Sequence, residues 1–271
     1  MRILIRTSRS AIWSRRLASL ALPLLIIPII LHRSDLIETT TFHTTEILGF
    51  LVALSALLLS LLALARLWHT GDQGWGRAVP ALLISLICLA PFAWVATQAL
   101  ATPETNDVAT ANRAFLPLAP QASAVSRNPL SDELREAAFP NATRRDYPLN
   151  AQQIYDLLIA LIDEQGWDLI IERRPGTADG TGQINARATH LLGWQDQIVL
   201  AIRGLPEGAR VDMRSASVDR AQDLGANGQR IEQFLGTVDT AVTSLIRDNP
   251  NITQPVIESE DDALAPEEAT Q

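Results

Sequence analysis

The sequence contains no lysine and a single cysteine, and each shortage removes a class of chemistry. All 22 basic residues are arginine, so a lysine Schiff base, a phosphate-loop lysine and a Ser–Lys catalytic pair are excluded. The lone Cys88 lies in an apolar run and has no partner for an internal disulfide or a cysteine metal cluster. Because no group of His, Asp and Glu has metal-ligand spacing either, the sequence predicts no metal and no cofactor.

Hydrophobic residues make up 47% of the chain and are concentrated in its N-terminal part. Three apolar runs, 17–31, 47–67 and 78–100, approach or exceed the roughly 20 residues that a spanning helix needs. The first run is short and contains Pro23 and Pro28, which also fits the core of a signal peptide. Because no small-x-small cleavage site follows it, we interpret this run as an uncleaved first span. Residues 1–100 are therefore predicted to form a membrane anchor.

The distribution of arginine predicts the orientation of this anchor. Five arginines precede the first span, Arg66 and Arg77 flank the loop after the second, and the loop after the first carries only Arg33. The positive-inside bias therefore places the N-terminus and the second loop in the cytoplasm. Three spans then put the chain after residue 100 in the periplasm of an inner membrane. If the first run does not span, the same domain is cytoplasmic instead.

Several partners and roles are disfavoured by what the sequence does not contain. The spans have no Asp, Glu, Arg or Lys at mid-depth, and since ion pathways need such groups inside the bundle, anchoring is favoured over transport. The domain after the spans is net acidic without a basic, aromatic-interleaved patch, so no nucleic acid is expected as a partner. Residues 250–271 form an acidic tail that is predicted to be disordered, with partner binding as an alternative role.

Residues 101–145 are predicted to link the anchor to the next domain or to wrap it. Ser131 to Phe139 has an N-cap serine and an acidic first turn, which predict a short helix. Residues 146–249 are predicted to form a folded α+β domain. The first helix of this domain follows Asn150, at capping-box spacing from Gln153, and ends at Gly166.

Four strand-like runs follow, separated by turns that contain Gly or Pro, and a long helix with one apolar stripe begins at about Leu224. Each run alternates between a more apolar and a more polar face. This order predicts an α+β fold, a two-layer domain in which a four-stranded antiparallel meander packs one face against two helices. The apolar faces comprise Trp167, Leu169, Ile171, Ile184, Ala186, Ala188, Ile198, Leu200, Ile202, Val211 and Met213.

The opposite face of the sheet carries charged residues at matching parity, namely Arg187, Arg203, Asp212 and Arg214. One interpretation is a surface that binds an anion or a partner through guanidinium forks. The other is a solvated charge ladder in which Asp212 pairs with Arg203 or Arg214, for about 0.2–1 kcal/mol per pair. The residue pattern alone favours the ladder.

The stretch RVDMRSAS, preceded by LGWQDQIVLAIR and followed by DLGANGQRI, resembles the bacterial family known as domain of unknown function 1499. TNDVAT, from Thr105, resembles a segment that opens the same domain, so the resemblance covers roughly Thr105 to Arg247. It implies a family of membrane proteins and a domain boundary but no activity. The chain departs from the family pattern at Gln197, Ala201, Val218, Arg220 and Gln222.

The same stretch has two physical interpretations. In the first it is a conformational lock: Asp223 caps the last helix for about 1 kcal/mol, Gly225 allows a close approach, and Asn227 and Arg230 tie the strand-exit serines to that helix. In the second, the helix N-terminus and the neighbouring arginines and hydroxyls form a pocket for a phosphate or carboxylate. The candidate binding residues are Arg203, Asp212, Arg214, Ser215, Ser217, Asp223, Gly225, Asn227 and Arg230.

Catalysis has weaker support from the sequence. Ser215 or Ser217 can be combined with His190 and Asp196 as a Ser/His/Asp set, but no nucleophile-elbow motif accompanies it. We therefore expect a non-catalytic inner-membrane protein whose periplasmic module binds an envelope component, such as an anionic ligand, or a protein partner. The alternative is an envelope hydrolase with its site between Asp212 and Arg230.

Overall fold

The computed structural model describes residues 8–120, 126–176, 180–250 and 252. Its N-terminal part consists of helices α1 (Arg9–Arg33), α2 (Thr39–Thr70) and α3 (Trp75–Ala101), and all three are long and apolar enough to cross a membrane. The three predicted N-terminal helices are therefore confirmed, and each is longer than the run that predicted it. The predicted acidic tail lies, apart from residues 250 and 252, outside the described residues.

Small residues allow the three helices to pack closely. Ala18, Ala56 and Ala81 form one fully buried contact between them. The hydroxyls of Ser60 and Ser85, also fully buried, donate to carbonyls three residues back in their own helices. Such interfaces, with small residues and self-satisfied hydroxyls, are typical of helices that associate in lipid.

The C-terminal domain is built on a six-stranded sheet in the order β1-β6-β5-β4-β3, with β2 also pairing with β6. The predicted meander is present as β3 (Asp168–Arg173), β4 (Thr181–Thr189), β5 (Gln195–Leu205) and β6 (Gly208–Ser217). The described residues between α3 and α5, 102–120 and 126–150, are here called the wrapping segment. They contain two short strands, β1 (Asp107–Ala109) and β2 (Arg145–Tyr147), which pair antiparallel with the free edge of β6. Strands of three residues are too short for an alternation to be recognised in the sequence.

Two long helices cover one face of the sheet, which confirms the two-layer α+β arrangement. Helices α5 (Ala151–Glu164) and α6 (Ala226–Asp248) enclose a core in which Leu158, Leu200, Met213 and Leu235 are completely buried. The predicted capping box of α5 is present. The short helix α4 (Asp132–Ala138) begins after its predicted cap Ser131.

The edge strand β3 departs from the predicted pattern. Alternation predicts core positions for Leu169 and Ile171, but these side chains are 40% and 38% exposed. The pairing of β3 with β4 shifts register between these two residues, which interrupts the alternation as a bulge does. Trp167, just before the strand, retains its core contact through the ring of Phe234, at a centroid distance of 4.8 Å.

The second face of the sheet is covered by the wrapping segment. Leu116, which follows a 3-10 turn at Arg113–Phe115, is completely buried and packs with Ala109 and Val199. Charged side chains on this face therefore lie partly under protein, where an unpaired charge is costly.

The domain rests on the end of the helical bundle formed by α1 and α2. The contact is made by the β4–β5 turn, residues 190–194. The ring nitrogen Nδ1 of His32 donates to the carbonyl of Leu192 at 2.7 Å, and the Arg33 guanidinium donates to the carbonyl of Leu191 at 3.0 Å. These bonds satisfy turn carbonyls and fix the domain against the bundle.

Two glycines of α6 provide a matched test of how tightly this domain is packed. A Cβ on Gly228 would lie 2.4 Å from the ring of Phe139, whereas a Cβ on Gly236 meets nothing within 4 Å. We expect Gly228→Ala to lower the free energy of unfolding by about 1–3 kcal/mol through overpacking. Gly236→Ala should raise it by up to about 1 kcal/mol through helix propensity. Urea unfolding of the detergent-solubilised full chain measures both, and equal effects would contradict the packing described for α6.

Candidate functional site

A buried polar cluster lies where β5, β6 and the first turns of α6 meet. Its carboxylate, Asp196, and its two serines are completely buried. Polar groups at such depth destabilise the fold unless each finds a partner, so their contacts define what the cluster does. The members of the cluster are His190, Asp196, Ser215, Ser217, Arg220, Asn227 and Arg230.

Asp196 is the charged centre of this cluster. Arg220 donates to both of its oxygens, at 2.7 and 3.0 Å, and Arg230 lies 2.8 Å from Oδ2. His190 Nε2 also contacts Oδ2 and lies 2.9 Å from Arg230 Nη2 and 3.1 Å from Arg220 Nη2. Burial alone would raise the pKa of Asp196, but the His190 hydrogen bond and the two guanidinium charges outweigh burial and lower it. The carboxylate therefore stays ionised inside the protein.

The serines of β6 are held by Asn227 and Arg230, as the lock hypothesis predicts. Ser215 Oγ donates to Asn227 Oδ1 at 2.7 Å and accepts from Arg230 Nη1 at 2.8 Å. The Asn227 amide nitrogen donates to Ser217 Oγ at 3.1 Å. Both hydroxyls and the Asn227 amide thus join β6 to α6 and to each other.

The segment that opens the domain, which includes Thr105 and Asn106, is hydrogen-bonded to the same polar cluster and to the loop before α6. The carbonyl of Asn106 accepts from the backbone N–H of Ser217 at 2.8 Å, and the carbonyl of Thr105 accepts from that of Asp223 at 2.9 Å. The Asn106 side chain donates to the carbonyl of Arg220 at 3.0 Å. Two stretches more than a hundred residues apart in the sequence are therefore parts of one hydrogen-bonded unit.

Asp223 caps the start of α6 as predicted. Its oxygens accept from the backbone N–H groups of Gly225 at 2.9 Å and Asn227 at 3.1 Å, and burial raises its pKa. The helix begins at Ala226 rather than near Leu224 because Leu224 and Gly225 are left-handed, with φ of 55° and 82°. The close approach expected of Gly225 is made to the end of α3, where a Cβ would lie 2.9 Å from Thr102 Cγ2, and not to the sheet.

The family model described as Protein of unknown function (DUF1499) matches residues 101–238. The chain belongs to this family. The match begins at the end of α3 and ends within α6, so the DUF1499 unit includes the wrapping segment and the whole sheet. No curated protein and no solved structure matches the chain.

The DUF1499 domain contains a second buried ion pair that the sequence did not predict. Arg214 donates to both oxygens of Asp107, at 2.9 and 2.7 Å, and to the carbonyl of Leu116 at 2.8 Å. Arg214 was expected in the anion pocket or the charge ladder, but here it fastens β1 and the wrapping segment to β6. The resemblance of TNDVAT to the start of the family domain was the one available signal for Asp107.

The remaining charges of the second sheet face do not form the predicted ladder. Asp212 accepts from Thr110 Oγ1 at 3.2 Å and pairs with Arg144 at 3.8 Å, not with Arg203 or Arg214. Arg203 lies over the ring of Phe115, at 5.3 Å from its centroid, beside a surface groove of about 300 Å³. The wrapping segment supplies these partners, which explains why a four-strand pattern could not predict them.

The Ser/His/Asp set is assembled in space but not in the geometry of a hydrolase. The nitrogen Nε2 of His190 contacts Asp196, Arg220 and Arg230, so it is not available as the base for a serine. Ser215 and Ser217 are both 0% exposed, and their hydroxyls bond to Asn227 and Arg230. Of the sequence candidates, the structure brings together Ser215, Ser217, Asp223, Gly225, Asn227 and Arg230, whereas Arg203, Asp212 and Arg214 lie with the wrapping segment.

Arg220, noted in the sequence only as a departure from the family pattern, connects the cluster to the bundle. Its guanidinium carbon lies 5.1 Å from the ring centroid of Trp194, and the Trp194 ring meets Phe42 of α2 edge-on at 5.9 Å. Arg220 and Trp194 also line a cavity of about 250 Å³ between the domain and α3, whose side is formed by Trp94 and Gln98. The polar cluster therefore borders the junction with the bundle.

Two ion pairs of different burial give a matched test of the wrapping segment. In Asp107→Asn, the buried guanidinium of Arg214 loses its counter-charge. We expect the free energy of unfolding to fall by about 3–5 kcal/mol. Asp146→Asn removes the exposed pair with Arg210 and should leave the unfolding midpoint almost unchanged, because exposed ion pairs contribute little to stability. Urea unfolding of both variants measures the difference, and similar midpoints would show that the Asp107 pair contributes no more than a surface pair.

Proposed function

We propose that this DUF1499 protein is a non-catalytic binding module held on the periplasmic face of the inner membrane, where it binds an envelope component or a protein partner. One observation carries the proposal. The domain is fixed to the bundle through His32 and Arg33. A cavity, here called the junction cavity, lies beside this contact, between α3 and the polar cluster. A domain attached to the bundle by a flexible linker alone would not form a cavity of this kind.

The distribution of arginine supports this orientation. Arg15, Arg16, Arg66 and Arg77 belong to the bundle end opposite the domain, where the backbone N–H of Ser8 meets the carbonyl of Gln73. Of the arginines in the described part of the bundle, residues 8–101, Arg33 alone lies at the end that carries the domain, and it donates to the carbonyl of Leu191. The positive-inside bias therefore favours a cytoplasmic location for the end without the domain.

The internal contacts of the polar cluster support binding over catalysis. Its serines, amide and carboxylate each have partners inside the protein, so the cluster acts as a lock that holds β6, α6 and the opening segment in one arrangement. A lock of this kind keeps the adjoining surface rigid, and a rigid site binds with a smaller entropic cost.

Cysteine labelling tests the orientation. In a Cys88→Ala background, we expect Gln165→Cys in the domain to react with a membrane-impermeant maleimide in intact spheroplasts. Gln73→Cys, in the α2–α3 loop, should react only after lysis, because it lies at the opposite end of the bundle. Labelling of Gln73→Cys but not of Gln165→Cys in intact spheroplasts would place the domain in the cytoplasm and contradict the proposal.

A serine-reactive fluorophosphonate probe tests the non-catalytic part. The probe is expected to leave the folded wild-type protein unlabelled, because both cluster serines are buried and neither has a free base. Ser215→Ala and Ser217→Ala are the controls for any signal. Labelling of the wild type that disappears in either variant would support the hydrolase alternative instead.

A further inference from the structure

A groove on the second face of the sheet carries two exposed arginines, Arg173 and Arg203, and is here called the arginine groove. It has a volume of about 300 Å³. Within the described part of the chain, neither arginine forms a hydrogen bond or an ion pair. Asp212, the one carboxylate among the described lining residues, is already paired with Arg144 at 3.8 Å. Three arginines and one carboxylate therefore leave this place with an excess of two positive charges.

The arginine groove also has an apolar wall, which the wrapping segment supplies. Phe115 is 59% exposed, and the guanidinium carbon of Arg203 lies 5.3 Å from the centroid of its ring. Ala114 and Pro117 adjoin this ring in the wall. A guanidinium that lies over an aromatic ring still has N–H donors at its edge, which match the two oxygens of a carboxylate. The groove therefore suits an acidic segment that also contains apolar residues.

The arginine groove and the last turn of α6 lie at the same end of the domain. The groove forms where β4 begins and β5 ends, whereas the turn between these strands, residues 190–194, contacts the bundle. Helix α6 starts on the bundle side, where Gly225 approaches Thr102. In its second half, Asp239 accepts from Tyr147, which pairs with β6 beside the β5–β6 turn. The chain after α6 therefore starts at the end of the domain that holds the groove.

The acidic tail has the charge and the reach to occupy this groove. It contains six acidic residues and no basic one. Its root is fixed, because Gln153 Nε2 donates to the carbonyl of Ile252 at 3.1 Å. Extended residues advance about 3.3 Å each, so Glu258 reaches about 20 Å from Ile252, and Asp261 and Asp262 about 30 Å. The helix layer and the sheet are together about 20 Å thick. The tail is therefore long enough to reach the second face.

We propose that the acidic tail of this chain occupies the arginine groove, with carboxylates paired to Arg173 and Arg203 and apolar residues against Phe115. A tethered segment has an effective concentration of about millimolar, so pairs that are weak one by one are enough to hold it. The docked tail covers the end of the domain that is farthest from the bundle, and it competes there with an acidic segment of any partner. This inference goes beyond the proposed function and holds for either orientation in the membrane.

Disulfide trapping in the detergent-solubilised full chain tests this contact. In a Cys88→Ala background, Ala263→Cys in the tail is combined either with Ala114→Cys in the groove wall or with Thr240→Cys on the exposed side of α6. Thr240 lies only about 18 Å from Ile252 along the helix, so an undocked tail meets it readily. Under mild oxidation, we expect the Ala114→Cys pair to form its disulfide about fivefold faster or more, because docking raises the local concentration of the tail.

A charge variant measures the part played by the arginines. Because Arg173 and Arg203 are exposed, replacing both by glutamine leaves the fold intact. This double variant should slow trapping at Ala114→Cys about fivefold, the effect of two surface ion pairs. Arg66→Gln with Arg77→Gln changes the net charge equally at the far end of the bundle, where both arginines are also exposed, and should leave the rate unchanged.

Each other outcome overturns the docked tail. Equal trapping at Ala114→Cys and Thr240→Cys would show a tail that is not docked. An unchanged rate in the groove variant would show that its arginines do not hold the tail, and an equal decrease in the control variant would reduce the effect to net charge. Because these rates are measured in detergent, they do not depend on orientation in the cell. Their failure leaves the labelling result intact, and the reverse also holds.

Discussion

The ionised carboxylate of Asp196 sets the arrangement of everything around it. A buried charge is stable only with partners close by, and the partners of Asp196 come from three places: Arg220 from the loop after β6, Arg230 from α6 and His190 from the β4–β5 turn. This single group therefore fixes the sheet, the last helix and the turn that reaches the bundle relative to one another. Movement of any one of them would leave an unpaired charge in the interior.

From this centre the contacts continue in two directions. Toward the protein interior, Arg230 and Asn227 hold the serines of β6, and the carbonyl of Asn106 receives the backbone of the same strand. Toward the membrane, Arg220 lies against Trp194, whose ring meets α2. The stretch that carries the family resemblance is thus the link between the family domain and its anchor, and its residue pattern follows from how many buried polar groups must be satisfied at once.

Sequence patterns predicted those parts of the molecule that depend on local periodicity. The long helices, the capping box at Asn150 and the core faces of β4, β5 and β6 follow from spacing along the chain, and the lock between Ser215, Asn227 and Arg230 follows from residues that lie close in sequence. The pair of Arg214 with Asp107 joins residues 107 positions apart, and no periodicity specifies such a partner. The exposure of Leu169 and Ile171 was missed for a related reason, because a register shift is set by the neighbouring strand.

The chain has no lysine, and the buried arginines of this domain make contacts that a lysine could not make. Arg214 bonds both oxygens of Asp107 and a carbonyl, and Arg113 bonds the carbonyls of Asp107 and Leu130 through one nitrogen. A guanidinium presents five donors in a planar fork, whereas an ammonium is a compact and more strongly hydrated point charge. Wrapping a segment over a sheet leaves carbonyls and carboxylates that point in several directions, and one fork satisfies two or three of them with a single charge. Because each such arginine is both the counter-charge and the connector, replacement by lysine would preserve the charge of the domain but not its connections.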